Sequence, residues 1–321
     1  MKYTIIGAGG TGGILGFYMT KAGKDVTLIA RNAHLQAMQK QGLSVEKMWT
    51  NTIENIPVCA ESMESYQEKG EKTDIILVCV KKYSLDSCIP FIQNISHKNT
   101  IVIPILNVYG TGAYLQEKLP ELLVTDGCIY VSANIKQPGT LLQHGEILRV
   151  FFGVREKEDL LSINKNIRNL NRKEILETVE QDFKDSGIDG ILSDNIKRDA
   201  LTKFSYVSPI GTAGLYLHAT AGDFQKEGEA RELFKTLIRE IVTLSNAMGI
   251  TFEENLVERN LKILSPLPEE ATTSMQRDVM DGRKSEIDGL VYEVVRMAER
   301  YGVDLPAYRR AAEKFEEMGL E

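Results

Sequence analysis

Cysteine is scarce in this chain. Only Cys59, Cys79, Cys88 and Cys128 occur in 321 residues, and no two of them form a C-x-x-C pair. They read as reduced, mostly structural thiols, and Cys79 lies inside an apolar, strand-like run. No apolar stretch approaches the ~18 residues of a membrane span. The chain opens directly on a strand-like run, which leaves no room for a signal peptide, so a cytoplasmic location without a membrane partner is expected. No block of Lys and Arg forms a basic stripe, and the formal net charge is −7. Nucleic acid is therefore not expected as a partner, and an anionic ligand would need a local cationic site. Internal repeats and low-complexity tracts are also missing. Against these absences stand a length beyond the usual single core and a hydrophobic content of 43%, which together predict two domains.

What the chain does have is a series of apolar runs that each end on a residue suited to gripping a dinucleotide. Residues 2–6 read as a strand and lead into Gly7-Ala8-Gly9-Gly10-Thr11-Gly12. A helical stretch over 13–22 follows, then Gly23 and a second strand over 25–30. In such a βαβ unit Gly7 permits a tight turn, Gly9 lets the backbone approach a pyrophosphate, and Gly12 allows close packing at a helix N-terminus that favours negative charge. Arg31 follows the second strand, where an acidic residue would bind a ribose 2′-hydroxyl. A cation there suits a 2′-phosphate and predicts NADP(H) over NAD(H), the plain alternative being a solvated turn residue. Further strands are expected over 56–60, 74–80 and 100–106, with Lys81 and Asn107 at the ends of the last two. Lys81 reads as a phosphate or ribose contact or as an ordinary surface lysine. Asn107 reads as a nicotinamide or substrate contact or as a turn residue. Runs at 123–131 and 148–153 predict added antiparallel strands, and 173–186 an amphipathic helix. The fold class is thus α/β: a Rossmann-type, doubly wound N-terminal sheet over 1–192, with an all-helical C-terminal domain over 193–321.

The second half carries helical patterns over 194–207, 227–248, 253–264, 273–280, 285–301 and 306–318. On the first of these, Lys203 falls about 20° from Ile196, on the apolar face that also includes Ala200 and Val207. A lysine there is either snorkelling at the stripe's edge or partly desolvated and able to donate a proton. Ser274 and Glu286, twelve residues apart, sit near predicted helix starts. By themselves they read as a cap and as a macrodipole complement, or as a polar pair for a substrate.

Together these residues resemble the ketopantoate reductase (2-dehydropantoate 2-reductase) family over nearly the whole length. The resemblance is carried by the glycine loop, Arg31, Val80-Lys81, Asn107 with Gly110, the N-I-K-x-x-x-x-x-K segment ending in Lys203, S-M-x-x-D at Ser274, and E-I-D at Glu286. It implies NADPH-dependent reduction of 2-dehydropantoate to pantoate, on the way to pantothenate. Lys203 would be the general acid, Glu286 would bind substrate and organise Lys203, and Ser274 would bind substrate. Asn107 would lie near nicotinamide and substrate, with Arg31 and Lys81 on the adenosine phosphate side. A homodimer is left open.

The chain departs from the family pattern at three positions. Val108 stands where a glycine is usual, and Val207 and Gly211 stand where asparagines follow the lysine by one and two helical turns. The same chemistry on a more apolar 2-keto or β-keto acid is therefore the alternative. A non-catalytic NADPH-binding protein is a further one, although it gives no reason to keep Lys203, Ser274 and Glu286 at this spacing.

Overall fold

The computed structural model describes residues 1–157 and 171–320. The chain forms two compact units, Met1–Leu106 with Gly110–Ile196, and Asn107–Tyr109 with Lys197–Glu321. The first contains β1 (Lys2–Ile6), α1 (Gly10–Lys21), β2 (Asp25–Ile29), α2 (Asn32–Gln41), β3 (Leu43–Lys47), β4 (Thr52–Ile56), β5 (Cys59–Glu61), α3 (Met63–Glu68), β6 (Thr73–Val78), α4 (Leu85–Ile95) and β7 (Ser96–Pro104). It continues with α5 (Thr111–Lys118), β8 (Leu123–Val124), β9 (Asp126–Tyr130), β10 (Ala133–Gln137), β11 (Thr140–Gln143), β12 (Arg149–Gly153), α6 (Arg172–Asp185) and β13 (Asp189–Leu192).

The main sheet has six strands in the order β5-β2-β1-β6-β7-β8, parallel throughout. Its central strands are apolar almost without interruption because both faces are covered. Ile5, Leu28, Ile75, Leu77, Ile101 and Ile103 enter one core, with Phe17 of α1 and Phe183 of α6. Their neighbours Ile6, Ile29, Ile76, Val78 and Val102 enter the other, with Phe91 and Ile92 of α4. This two-sided burial is the doubly wound arrangement. The order reverses at β1 and β6, so the crevice for a ligand lies beyond their carboxyl ends.

Several expected strands are drawn differently. The run at 56–60 straddles β4 and β5, which belong to different sheets. Pro57 lies between them and has no N–H for a ladder. The run at 123–131 likewise divides at Thr125 into β8, parallel to β7, and β9, antiparallel to β12. A second sheet, β10-β11-β3-β4, was not legible at all, and neither was β13, which completes a three-stranded sheet with β12 and β9. The strands of the second sheet are short and carry polar residues such as Thr52, Glu54, Asn55, Asn134 and Lys136, so they lack the apolar run that announces a buried strand.

In the second unit, α7 (Ile196–Leu217), which begins at the last residue of the first, is followed by α8 (Ala221–Gln225), α9 (Glu229–Ala247), α10 (Leu256–Leu264) and α11 (Ser274–Met280). A π-helical turn (Asp288–Tyr292) then leads into α12 (Glu293–Tyr301), and α13 (Pro306–Glu317) is the last helix among the described residues. Among the described residues no strand occurs beyond Leu192. The core includes Phe234, Leu237, Ile238, Ile241 and Leu244 of α9 at helical spacing, together with Val108.

The helix expected over 194–207 extends to Leu217, passing through Pro209. Proline has no N–H for the carbonyl four residues earlier. That carbonyl, on Ser205, accepts instead from Asn260 Nδ2 of α10 at 2.9 Å. The helix expected over 285–301 begins at Ile287, whose N–H donates to Ser285 Oγ at 3.4 Å, and its first turn is the π turn, whose Leu290 carbonyl accepts from Ser208 Oγ at 2.6 Å. The helix expected from 253 starts at Leu256, because Asn255 Oδ1 caps it by accepting from the Val257 N–H at 3.0 Å.

Candidate active site

In the first unit the glycine loop joins β1 to α1 at the sheet's point of reversal. Gly7 has φ +97°, and a Cβ there would lie 2.9 Å from Val80 Cγ1 and 3.0 Å from the Cys79 carbonyl. A Cβ on Gly12 would lie 2.3 Å from the Gly7 oxygen and 3.0 Å from Ile5 Cγ2, so only glycine lets α1 pack on β1 so closely. Gly9 is different. A Cβ there would meet nothing within 4 Å, and no side chain caps the helix that Gly9 begins. The N-terminus of α1 thus opens onto space at the glycine where a pyrophosphate requires backbone approach, so the loop fits a dinucleotide. Beside it, burial pushes the Cys79 thiol up to about 12, which keeps it neutral.

Arg31 is exposed at the N-cap position of α2, just past β2. Among the described residues no hydrogen bond or ion pair holds its guanidinium. Lys81 follows β6, and its carbonyl accepts from the Ser84 N–H at 2.9 Å. The strands are parallel, so the glycine loop, Arg31 and Lys81 all lie at one edge of the sheet.

The second unit gathers the other predicted residues. Asn107 follows β7 in the chain but belongs by its contacts to the helical unit. Lys203 on α7 is 7% exposed, and its Nζ donates to Asn107 Oδ1 at 2.7 Å. A desolvated ammonium has three N–H donors to satisfy, and the amide oxygen accepts one of them. Glu286 is 3% exposed, directly before the helix that opens with the π turn. Bulges of this kind cluster at functional sites.

Ser274 is the first residue of α11 but not its cap. Thr273 Oγ1 accepts from the Gln276 N–H, closing a capping box. The half-buried Ser274 hydroxyl has no hydrogen-bond partner among the described residues, so capping does not account for it. The start of α11 lies close to α7 at two glycines. A Cβ on Gly211 would be 3.0 Å from Met275 Cε, and one on Gly214 would be 2.6 Å from Gln276 Oε1. Lys203, Val207 and Gly211 follow one another at four-residue spacing on α7, and this row ends against the helix that carries Ser274.

Sequence reasoning missed two supporting groups. Asn260 replaces the hydrogen bond that Pro209 cannot make, and His34 contacts the glycine loop from α2. Neither carries a local motif, because each is defined by a partner distant in sequence. Among the described residues no group of three or more His, Cys, Asp or Glu is arranged to hold a metal ion, and no helix is long and apolar enough to cross a membrane.

A doubly wound sheet with a glycine loop at its reversal, followed by a helical unit with a buried lysine, defines the two-part architecture of a nicotinamide-dependent oxidoreductase. Residues 3–157 match the family model described as ketopantoate reductase PanE/ApbA, and residues 195–318 match that of its C-terminal part. The chain belongs to the ketopantoate reductase family, oxidoreductases that act on the CH–OH group with a nicotinamide cofactor. It is 25% identical over 313 residues to a 2-dehydropantoate 2-reductase of Pyrococcus horikoshii, covering 95% of this chain and 93% of that one. In fold it is similar to a 2-dehydropantoate 2-reductase of Geobacter metallireducens, with a TM-score of 0.84 at 20% identity over 99% of this chain and 100% of the other. It is also similar to a D-mandelate dehydrogenase solved with NADH and anilino(oxo)acetate, with a TM-score of 0.83 at 20% identity over the full length of both.

Proposed function

We propose that this protein reduces a 2-keto acid to the 2-hydroxy acid with NADPH, and that its substrate is 2-dehydropantoate, giving pantoate for pantothenate synthesis in the cytoplasm. The observation that carries this reading is the buried Lys203 ammonium held on Asn107. The nicotinamide, when bound, supplies the hydride that forms the new C–H bond at the carbonyl carbon. As the carbonyl π pair moves onto oxygen, Lys203 stabilises the growing charge and transfers a proton from Nζ, leaving a neutral amine and a hydroxyl. A pre-positioned cation is worth more to that transition state than to the neutral ketone.

In this reading Glu286 binds substrate and organises Lys203, and the Ser274 hydroxyl binds substrate. Asn107 orients the lysine and lies near nicotinamide and substrate. Gly7, Gly9 and Gly12 admit the pyrophosphate, Arg31 takes the 2′-phosphate, and Lys81 reaches the adenosine phosphate side. The division of labour is a cofactor domain over 1–192 and a substrate and catalytic domain over 193–321, with Asn107 contributed from within the first stretch. Oxidation of NADPH against a panel of 2-keto acids tests the proposal, and absence of turnover across the panel would leave a nucleotide-binding protein.

A second reading keeps the chemistry and makes the substrate more apolar. Two observations favour it. Val207 stands one turn after Lys203, and the space a side chain at 211 would need is taken by the Met275 thioether. A pocket wall of this kind offers no amide to a hydroxylated tail, each such bond being worth about 0.5–1.5 kcal/mol. On this reading an alkyl 2-keto acid without the hydroxyl shows the higher kcat/KM, and Val207→Asn moves the ratio toward 2-dehydropantoate. A low micromolar KM for 2-dehydropantoate with no turnover of the alkyl analogue would reject it.

A further inference from the structure

His34 occupies the first turn of α2, three residues after Arg31, with its ring half-buried. Its Nδ1 lies 3.0 Å from the Gly139 backbone nitrogen, and its Nε2 lies 2.9 Å from the Ala8 carbonyl oxygen. The Gly139 N–H can only donate, so Nδ1 is the bare acceptor and Nε2 carries the proton that it gives to Ala8. The two contacts thus select one neutral tautomer. Burial agrees, holding the imidazole below its ordinary titration range.

Ala8 stands between the first two glycines of the dinucleotide loop, and Gly139 is the turn between β10 and β11. The second sheet meets the loop by close approach as well. A Cβ on Gly10 would lie 2.4 Å from the Ala133 oxygen of β10, and one on Gly13 would lie 2.7 Å from Leu141 Cδ1 of β11. The Gly139 carbonyl in turn accepts from the Ser44 N–H of β3 at 2.9 Å, which anchors the turn to the rest of that sheet. His34 is therefore a polar tie between the loop and the turn of the second sheet, beside the close packing at Gly10 and Gly13.

We propose that His34 is a positioning residue for the cofactor: by holding the Ala8 carbonyl toward α2, it aims the Gly9 N–H at the pyrophosphate. The peptide between Ala8 and Gly9 is planar and trans, so its C=O and N–H point in opposite directions. A carbonyl fixed on His34 turns the next N–H away from α2, and it occupies an oxygen whose partial negative charge would otherwise be free to repel a phosphate. Gly9 is the loop position with open space around it. The inference rests on the glycine loop being the dinucleotide site, and it assigns to the second sheet the task of keeping that loop in its binding form.

The test measures NADPH and NADH dissociation constants, kcat at saturating cofactor and thermal midpoints for the unmutated protein, His34→Ala and His34→Gln. A glutamine amide presents one acceptor and one donor, as the neutral ring does. The expected result is that His34→Ala weakens NADPH binding about three- to tenfold, the range of one neutral hydrogen bond. Its kcat at saturation should stay within about twofold, because the residue acts on ground-state binding. His34→Gln should recover most of the affinity. If His34→Ala lowers the thermal midpoint but leaves the NADPH dissociation constant unchanged, His34 is merely structural and the proposal is overturned. It is equally overturned if folded His34→Gln binds as weakly as the alanine variant. Should the unmutated protein bind neither nucleotide, the dinucleotide reading itself fails, an outcome distinct from the other two.

Discussion

Lys203 Nζ and Asn107 Oδ1 meet at 2.7 Å although the two residues are 96 positions apart in the chain. Both residues lie in the helical unit, Lys203 on α7 and Asn107 in the short segment Asn107–Tyr109. If Lys203 is the general acid, Lys203→Ala should keep NADPH affinity and lower kcat by about two to four orders of magnitude. Asn107→Ala should act in the same direction but more weakly, since it loosens the lysine without removing it. Steady-state rates alongside cofactor titrations separate binding from chemistry. A Lys203→Ala enzyme with more than a tenth of normal turnover would reduce the lysine to a structural role.

Arg31 is exposed and has no partner within the described protein, as a ligand-facing cation should be. NADPH is expected to bind at least tenfold tighter than NADH, because a charge-assisted contact to the 2′-phosphate contributes about 1.5–3 kcal/mol. Arg31→Ala should erase most of that preference while changing NADH affinity little. Equal affinity of the unmutated protein for the two nucleotides would sink the assignment.

Ser274 and Glu286 are assigned to the substrate. Glu286→Ala should raise KM and lower kcat together, and Ser274→Ala should show a milder form of the same change, with NADPH affinity retained in both. Thr273 already caps α11, so Ser274→Ala should change the unfolding free energy by no more than about 0.5 kcal/mol. Substitutions that alter stability alone would show that neither residue meets the substrate.

Asn260 is fully buried, and its Nδ2 supplies the hydrogen bond that Pro209 denies to the Ser205 carbonyl. Asn260→Leu should cost about 1–3 kcal/mol in chemical denaturation, the penalty for an unsatisfied buried carbonyl. Pro209→Ala restores an N–H at the right place in α7. In that background the Asn260→Leu penalty should shrink, and a double-mutant cycle with no coupling would disprove the relationship.

His34 also sets a pH dependence of stability. Burial depresses its folded pKa below the ordinary value of 6.5, and a second ring proton would place a donor against the Gly139 N–H. The unfolded chain therefore takes up the proton first as pH falls. The neutral ring's contribution is complete above the ordinary value and is lost as pH drops below it, toward the depressed folded pKa. Thermal midpoints of the unmutated protein should fall more steeply through that acidic window than those of His34→Gln. Parallel curves would show that another group governs the acid limb.

The sequence by itself determined the parallel sheet, the glycine loop and the helical second half. Those features rest on local rules: near-continuous apolar runs where a strand is buried on both faces, a glycine where a Cβ has no room, and 3.6-residue periodicity along helices. The family pattern also proposes Lys203, Ser274 and Glu286 as site residues, a role that the kinetics of their variants decide. Tertiary structure alone decided which residues share an environment. It assigned Asn107 to the helical unit and to Lys203, placed Met275 in the space beside Gly211, carried α7 through Pro209 by borrowing a donor from Asn260, and built a polar second sheet around the dinucleotide loop. Each depends on a partner tens of residues away, and hydrogen bonding and steric exclusion act on distance in space, which a local reading of the chain does not contain.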